Sequence, residues 1–414
     1  MFGSAEHPSG TGVAGGAGAR STGRADTARA RSTGRADAAR ARISAWLADH
    51  GRFAGLVLTT PGAVAWATGG VAPPVDRTAG TDLVWAVFTR TGAGLITTAV
   101  EADRVRDEYG PERHGFAELA VVPWHDPGAF ERAAQDLAGA GAGDLAADGH
   151  PGFGTDAADD LIALRLALSG PEQADLRDLG ADAAAALEQA LAAWTPGERD
   201  LDIQARCAAA LEAAGADAPV LIVGGDERVR RYRHPMAAGA PVRQLAMAVV
   251  VARRAGLHAA ATRFASAGPV PPDYAALRAR VLRIERDVLA ASRPGRSYGD
   301  ALTALDRGYA AAGAPGGWAG HYQGGPIGYA QREFEIAPGQ AGSRWLTQPI
   351  GIGHAVAWNP SLPGGAKAED TYLVTADGLE RVTSGGAASG TTGWPAEPAD
   401  DLQPGRPAVL ELTS

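Results

Sequence analysis

The alternation of apolar and polar positions divides the chain into two halves with different rhythms. In the first half, Ile43, Trp46 and Leu47 recur at helical spacing, which predicts an amphipathic helix that ends near Gly51. Short apolar runs separated by turn residues follow, as is typical of an α/β domain. We expect strands at 56–60, 64–67, 83–88, 94–98 and 119–124, a turn at 61–62 and a helix at 101–109.

The second half combines long helices with a cluster of strands. Helical periodicity covers 172–194 and 199–214, and a Thr-Pro-Gly sequence at 195–197 separates the two segments. Helices followed by a strand cluster are typical of an α+β domain. We expect strands at 220–223, 245–252 and 257–264, and further helices at about 271–292 and 297–312.

Residues 1–38 differ from both halves. Their Gly/Ser/Ala-rich start lacks the apolar segment of a secretory signal, and one Arg-rich unit then occurs twice, at 19–29 and 30–40. Neither copy has an apolar face that could pack. We therefore expect residues 1–38 to be a disordered tail. A basic arm for an anionic surface and an Arg- and Ser-rich transit peptide are the alternatives.

Composition excludes several classes of protein. The 414 residues carry 47 acidic and 38 basic side chains, a formal net charge of −9, which argues against a nucleic-acid-binding face. The single cysteine, Cys207, excludes a disulfide framework and Cys-based zinc sites, and no apolar run could span a membrane. We expect a cytoplasmic protein without nucleic-acid or membrane partners. Lys367 is the only lysine, which we ascribe to genome composition.

Polar residues embedded in apolar, strand-like segments carry the candidate chemistry. The sequence contains no His-Glu-x-x-His, P-loop, Gly-x-Ser-x-Gly or complete Gly-x-Gly-x-x-Gly motif. A single polar residue in such a segment is usually structural, so the order of several along the chain is what suggests a site. They are His234 in Tyr-Arg-His-Pro, Thr262-Arg263, His321 in Gly-His-Tyr-Gln-Gly-Gly, Asn359 in Trp-Asn-Pro and Glu369 in Ala-Glu-Asp-Thr.

This order resembles the M24 family, which includes methionine aminopeptidase, aminopeptidase P, prolidase and creatinase. The resemblance covers residues 43–385 and implies an α+β fold. A pita-bread C-terminal domain at 161–414 would follow a smaller α/β creatinase-type N-terminal domain at 39–160. It also implies a homodimer. Further landmarks are the segments 56–69, 195–198, 232–235 and 378–383.

The resemblance also locates the metal-ligand positions of the family. Its peptidases hold two metal ions with two Asp, one His and two Glu residues, and this chain replaces three of these ligands, including both Asp. Because bridging two cations requires several carboxylates, we expect no metal and no cofactor. The five positions fall on Val249, Ala260, His321, Asn359 and Glu369.

Creatinase, a metal-free member, resembles the pattern that remains. It implies a metal-independent hydrolase that acts on a C–N bond of a small amidine, guanidino or amide substrate. His234 would carry the proton, His321 would be a second acid/base or an anchor, and Glu369 would orient a histidine or the substrate. We expect substrate-binding roles for Tyr322, Arg332, Glu333, His354 and Asn359.

Three alternatives remain open. The chain could be an inactive M24 pseudoenzyme that binds a peptide or small molecule, or a lyase or cyclase of a specialised pathway. An Xaa-Pro-type aminopeptidase with an unusual metal, held by His321 and Glu369, is the third. Convergence of His234 with those two residues favours catalysis, whereas Tyr322 and Trp358 filling the cleft would favour binding alone.

Overall fold

The computed structural model describes most of the chain. Within this described part, no helix is both long enough and apolar enough to cross a membrane. The described residues are 15–70, 75–81, 83–337, 343–384, 394–397 and 405–413, with side chains from residue 27 onward.

A six-stranded mixed sheet organises the first half. Leu56 and Leu58 pack into one hydrophobic cluster and Val57 into another, so this strand is buried on both faces. Burial on both faces explains the continuous apolar run. The strands are β1 (Gly55–Leu58), β2 (Val84–Thr89), β3 (Ala93–Thr98), β4 (Glu118–Val122), β5 (Leu145–Ala147) and β6 (Thr155–Asp156), in the order β4-β3-β2-β1-β5-β6.

One predicted turn and strand are instead a helix. Pro61 occupies the first turn of this helix, where its missing N–H costs nothing, and Gly69 ends it with φ +70°. The segment is buried all round, so it shows no helical periodicity, and the predicted strand at 64–67 is wrong. The helices of this half are α1 (Gly15–Asp49), α2 (Pro61–Thr68), α3 (Ala102–Arg104) and α4 (Ala129–Ala138).

The predicted disordered tail is wrong from residue 15 onward, because Gly15–Asp49 is the helix α1. Its C-terminal part packs apolar side chains into a hydrophobic cluster, and the repeat adds ionic contacts. Arg35 is buried and donates to Asp175 at 3.1 Å, to the Ala255 carbonyl at 2.7 Å and to the Tyr329 hydroxyl at 3.0 Å. A repeat without an apolar face is therefore held by its arginines. Residues 1–14 lie outside the described residues.

Two four-stranded sheets and long helices form the second half, which confirms the α+β prediction. One sheet has the order β14-β9-β8-β7 and contains β7 (Asp217–Gly225), β8 (Leu245–Arg254), β9 (Leu257–Ala267) and β14 (Leu410–Leu412). The other has the order β10-β11-β12-β13 and contains β10 (Gly324–Ile327), β11 (Ala355–Trp358), β12 (Asp370–Thr375) and β13 (Gly378–Arg381). The helices are α5 (Ala158–Arg165), α6 (Gly170–Ala192), α7 (Asp200–Ala213), α8 (Asp226–Arg231), α9 (Pro272–Ala291), α10 (Tyr298–Ala311) and α11 (Arg344–Thr347).

The two sheets of the second half meet where β9 passes the start of β12. The Thr262 amide donates to the Glu369 carbonyl at 2.9 Å, and the Ala260 amide donates to the Thr371 hydroxyl at 2.8 Å. Alternate residues of a strand point to opposite faces. Ala260 and Thr262 therefore share one face of β9, and Arg263 lies on the other face, against α6. Position 160 as the boundary between domains stays a prediction.

Candidate active site

The five positions that correspond to metal ligands in the M24 resemblance line one cavity of about 740 Å³. Strand pairing brings them together, because Val249 on β8 lies opposite Thr262 on β9, next to Ala260. The cavity walls are mainly aliphatic. The polar side chains that line it include His234, His321, Tyr322, Arg332, Asn359, Lys367 and Glu369.

His321 presents an unpaired ring nitrogen. It follows a short turn of 3₁₀ helix, and its Nδ1 lies 2.6 Å from the Tyr322 carbonyl. Since a carbonyl only accepts, Nδ1 carries the hydrogen and Nε2 keeps its lone pair. That Nε2 is buried and has no hydrogen-bond partner in the described part of the chain. Burial, reinforced by Lys367, lowers the pKa of His321 to about 3, so the ring is neutral at physiological pH.

His234 stands beside His321 at the mouth of the cavity. It follows helix α8 and is exposed, and the two imidazole ring centroids are 4.9 Å apart. Partial burial and the positive charge of Lys367 lower the pKa of His234. Two neutral imidazoles therefore lie side by side, the inner one half-buried with its Nε2 buried, and the outer one in contact with solvent.

Glu369 is a buried carboxylate that lines the same cavity as the two histidines. The Thr262 hydroxyl donates to its Oε2 at 2.9 Å. Burial raises the pKa of Glu369, and Lys367 and Thr262 oppose that shift. The structure thus brings His234, His321 and Glu369 to one cavity, and the catalytic roles assigned to them stay predictions.

Lys367 is the main residue that the sequence analysis missed. The side chain is almost completely buried, and its Nζ lies 4.0 Å from Glu369 Oε2, beyond hydrogen-bond distance. No acceptor in the described part of the chain accepts a hydrogen bond from it. Burial lowers the pKa of Lys367, and Glu369 opposes that shift. The available signal was that the only lysine in an arginine-rich chain lies two residues before a candidate carboxylate.

The residues present do not fit a two-metal centre. Val249 and Ala260 place aliphatic groups where carboxylates would be needed, and the ammonium of Lys367 repels a cation beside Glu369. Among the described residues, no group of three or more His, Cys, Asp or Glu side chains could hold a metal ion. Compared with the ligand set that the resemblance implies, two carboxylates are replaced by aliphatic side chains and a third by the amide of Asn359, and Lys367 adds a cation.

Three of the predicted substrate-binding residues line the cavity. Tyr322 is 67% exposed, Trp358 is buried in a hydrophobic cluster, and neither fills the cleft. Arg332 lies 5.6 Å from the Tyr322 ring centroid and pairs with Glu335, which also lines the cavity and was not predicted. Asn359 is buried, and its Oδ1 has no hydrogen-bond partner within the described ranges.

The other two predicted substrate-binding residues are not among those that line the cavity, and their binding roles stay predictions. Glu333 accepts hydrogen bonds from Arg165 at 2.6 Å and from the Tyr329 amide at 2.7 Å. His354 is buried, and its Nδ1 lies 3.1 Å from the Tyr298 hydroxyl. These hydrogen bonds hold both side chains in the interior of the fold, away from the histidine pair.

Comparison with known proteins places the chain among peptidase-like folds. The model of metallopeptidase family M24 matches residues 174–376. Dipeptidase PepE from Mycobacterium ulcerans has 21% identity and a TM-score of 0.68, over 92% of this chain and 99% of that chain. An Xaa-Pro dipeptidase from Bacillus anthracis has 19% identity and a TM-score of 0.65, over 84% of this chain and 97% of that one.

A third similar structure is not named as a peptidase. The N-terminal domain of FACT complex subunit SPT16 from Cicer arietinum has 14% identity and a TM-score of 0.60, over 85% of this chain and 97% of that chain. No curated protein matches the sequence. Identities this low show a shared fold.

Proposed function

The chain belongs to metallopeptidase family M24 through residues 174–376, and from this premise we propose that it is a metal-independent hydrolase of a C–N bond in a small substrate. The observation that supports the proposal most is the Nε2 atom of His321. It is a buried base without a hydrogen-bond partner among the described residues, and it lines a cavity next to a second imidazole. A buried acceptor without a partner is costly, and function is a common reason for it to persist.

The two imidazoles supply the proton transfers that hydrolysis requires. Nε2 of His321 accepts a proton from an attacking water and returns it to the leaving nitrogen. His234, at 4.9 Å between ring centroids, links the buried base to solvent. Glu369, whose Oε2 accepts a hydrogen bond from the Thr262 hydroxyl, supplies a carboxylate to the cavity lining. The substrate is a small molecule, and a homodimer and a cytoplasmic location remain parts of this proposal.

Turnover by metal-free protein tests the proposal. The protein is dialysed against a chelator and assayed for amine or ammonia release from amides, ureides, amidines, guanidino acids and X-Pro dipeptides. His321→Gln should lower kcat/KM by about 10²-fold or more, because general acid–base catalysis contributes that much. His125→Gln, which changes an exposed histidine of the first half, is the matched control and should leave the rate unchanged. Equal rates in His321→Gln and wild type would contradict the proposal.

One observation favours a second candidate, binding without chemistry. Met236 is 56% exposed and Tyr322 is 67% exposed, and both line the same cavity. Large apolar side chains at a cavity mouth are typical of a surface that binds a peptide. If this candidate is correct, no substrate is turned over, and a peptide-library selection recovers sequences whose binding is lost in Tyr322→Ser.

A further inference from the structure

Lys367 is a buried cation, and no atom of the described residues accepts a hydrogen bond from its ammonium group. Its nearest charged partner is Glu369 Oε2 at 4.0 Å, and that oxygen already accepts a hydrogen bond from Thr262. An ammonium group has three N–H donors, and leaving them unpaired in the interior is expensive. Lys367 also lines the cavity, so an acceptor atom of a ligand can approach it there.

Two unpaired acceptors line the same cavity. His321 Nε2 and Asn359 Oδ1 are both buried without hydrogen-bond partners in the described part of the chain. All three groups are satisfied by a substrate that accepts a hydrogen bond from Lys367 and donates one to Asn359, together with a water that donates to His321 Nε2. A neutral amide-type group has this pattern, because one carbon carries both the carbonyl oxygen that accepts and the nitrogen whose N–H donates.

We propose that Lys367 receives the carbonyl oxygen of the substrate, so that the substrates are neutral amides, ureides or lactams rather than amidinium or guanidinium compounds. This inference rests on the proposed hydrolase function and narrows its substrate class. It also gives Lys367 a catalytic role at the position where the family resemblance would place metal ions.

The charges around the cavity support this choice. Two cations, Lys367 and Arg332, and two carboxylates, Glu335 and Glu369, line the cavity beside the two histidines. Each carboxylate already lies beside a cation, Glu369 beside Lys367 and Glu335 beside Arg332, so neither is free to pair with a cationic head group. The Oε2 atom of Glu369 also accepts a hydrogen bond from the Thr262 hydroxyl at 2.9 Å.

The hydrolysis step balances with these groups alone. The water oxygen bonds to the carbonyl carbon while one water proton moves to His321 Nε2, and the carbonyl π electrons move onto the oxygen beside Lys367. The C=O bond then re-forms, the C–N bond breaks, and His321 returns its proton to the departing nitrogen. The ammonium stabilises the oxyanion, as preorganised donors do in acyl transfer. Because the oxyanion offsets the charge of Lys367, His321 holds the proton more strongly at that moment.

Benzamide and benzamidine test the inference, because the two probes share one shape and differ in replacing a carbonyl oxygen by a charged nitrogen. Their dissociation constants are measured calorimetrically with wild type and with Lys367→Met. Wild type should bind benzamide at least about tenfold more tightly than benzamidine, a difference of about 1.4 kcal/mol, and Lys367→Met should abolish the preference. Equal or tighter binding of benzamidine by wild type, or a preference that survives in Lys367→Met, would overturn it.

A spectroscopic measurement on the unaltered chain covers the case in which Lys367→Met does not fold. With one lysine in the sequence, protein grown on [¹³C,¹⁵N]lysine gives one lysine side-chain spin system. Benzamide should shift the ¹³Cε resonance saturably and benzamidine should not, and absence of a shift with both probes contradicts the inference. Benzamide preference without turnover of any C–N substrate would remove the hydrolase proposal alone, whereas turnover restricted to amidines would remove this inference alone.

Discussion

Two buried cations near the junction of β9 and β12 differ in how many of their hydrogen-bond donors have acceptors. On one face of β9, Arg263 donates to Glu188 at 2.9 Å, to Asp370 at 2.9 Å and to the Thr383 carbonyl at 2.6 Å. On the cavity side, Lys367, which precedes β12, has among the described residues only a Coulombic partner, Glu369 Oε2, at 4.0 Å. Thr262–Glu369 faces the cavity, and Arg263–Asp370, one residue further along each strand, faces the core.

This difference separates a structural cation from a functional one. A buried charge whose donors are all engaged contributes to the fold, and its removal leaves several partners unpaired. A buried charge with unused donors lowers the stability of the fold, and such a group is retained where a ligand supplies the missing hydrogen-bond acceptors. The predictions below test this distinction from the largest expected effect to the smallest.

Arg263→Met should cost the most stability. It leaves Glu188 and Asp370 as buried carboxylates without their cation, and we expect a loss of about 3–5 kcal/mol in the free energy of unfolding. Urea unfolding followed by circular dichroism measures it. Arg293→Met, which changes an exposed arginine, is the control and should stay within about 0.5 kcal/mol of wild type. Similar losses in both variants would show that the Arg263 network is not structural.

Replacing the Lys367–Glu369 pair should affect activity and spare stability. The double variant Lys367→Met/Glu369→Gln leaves no lone carboxylate buried. Replacing a whole buried ion pair is commonly neutral for stability, so the free energy of unfolding should change by about 1 kcal/mol or less. The value of kcat/KM should fall by about 10²- to 10³-fold, the effect of removing one oxyanion-stabilising group. A stability loss as large as that of Arg263→Met would contradict the functional assignment of Lys367.

A buried histidine whose hydrogen bond is satisfied should make the stability of the fold depend on pH. His258 is satisfied, with Nδ1 3.1 Å from the Gly328 carbonyl, and burial lowers its pKa to about 4. Between pH 6.5 and 4 the unfolded chain binds this proton and the folded chain does not, so stability should fall as the pH drops through that window. His258→Gln keeps a donor and should remove up to about 3 kcal/mol of that decline. An unchanged slope in thermal melts across this range would contradict the assignment.

Thr262→Val should have the smallest effect. It removes the hydroxyl that donates to Glu369 Oε2 at 2.9 Å without changing the shape of the side chain. We expect a loss of about 1–2 kcal/mol in transition-state stabilisation, measured as kcat/KM, because the bond is to a charged acceptor. Thr262→Ser retains the donor and should restore most of the rate. If Thr262→Ser does not restore kcat/KM, the side chain of Thr262 acts through its packing and not through its hydroxyl.

The sequence predicted most of the second half because its signals are local. Apolar runs and breakers located β8, β9 and α6 to within a few residues, and ordered motifs led to His234, His321 and Glu369. The part of helix α1 that precedes Ile43 escaped prediction because its arginines bind partners distant in sequence, such as Asp175. Periodicity carries no information about such pairs.

The differences at the site have the same origin. Glu333 and His354 resemble candidate site residues in sequence, and only the positions of Arg165 and Tyr298 show that both are held in the interior. Lys367 was visible as the sole lysine, yet its importance depends on the missing hydrogen-bond acceptors around Nζ. Whether a polar group is satisfied is a property of the folded chain.

The most direct test of the account is kcat/KM for the best amide or ureide substrate, measured with chelator-treated protein before and after addition of Mn²⁺, Co²⁺ or Zn²⁺. Histidines and a lysine that replace the metal centre predict a rate that is unchanged within about twofold by chelation and by each ion. A rate that disappears with the chelator and returns with a metal, or no turnover of any substrate, would contradict it.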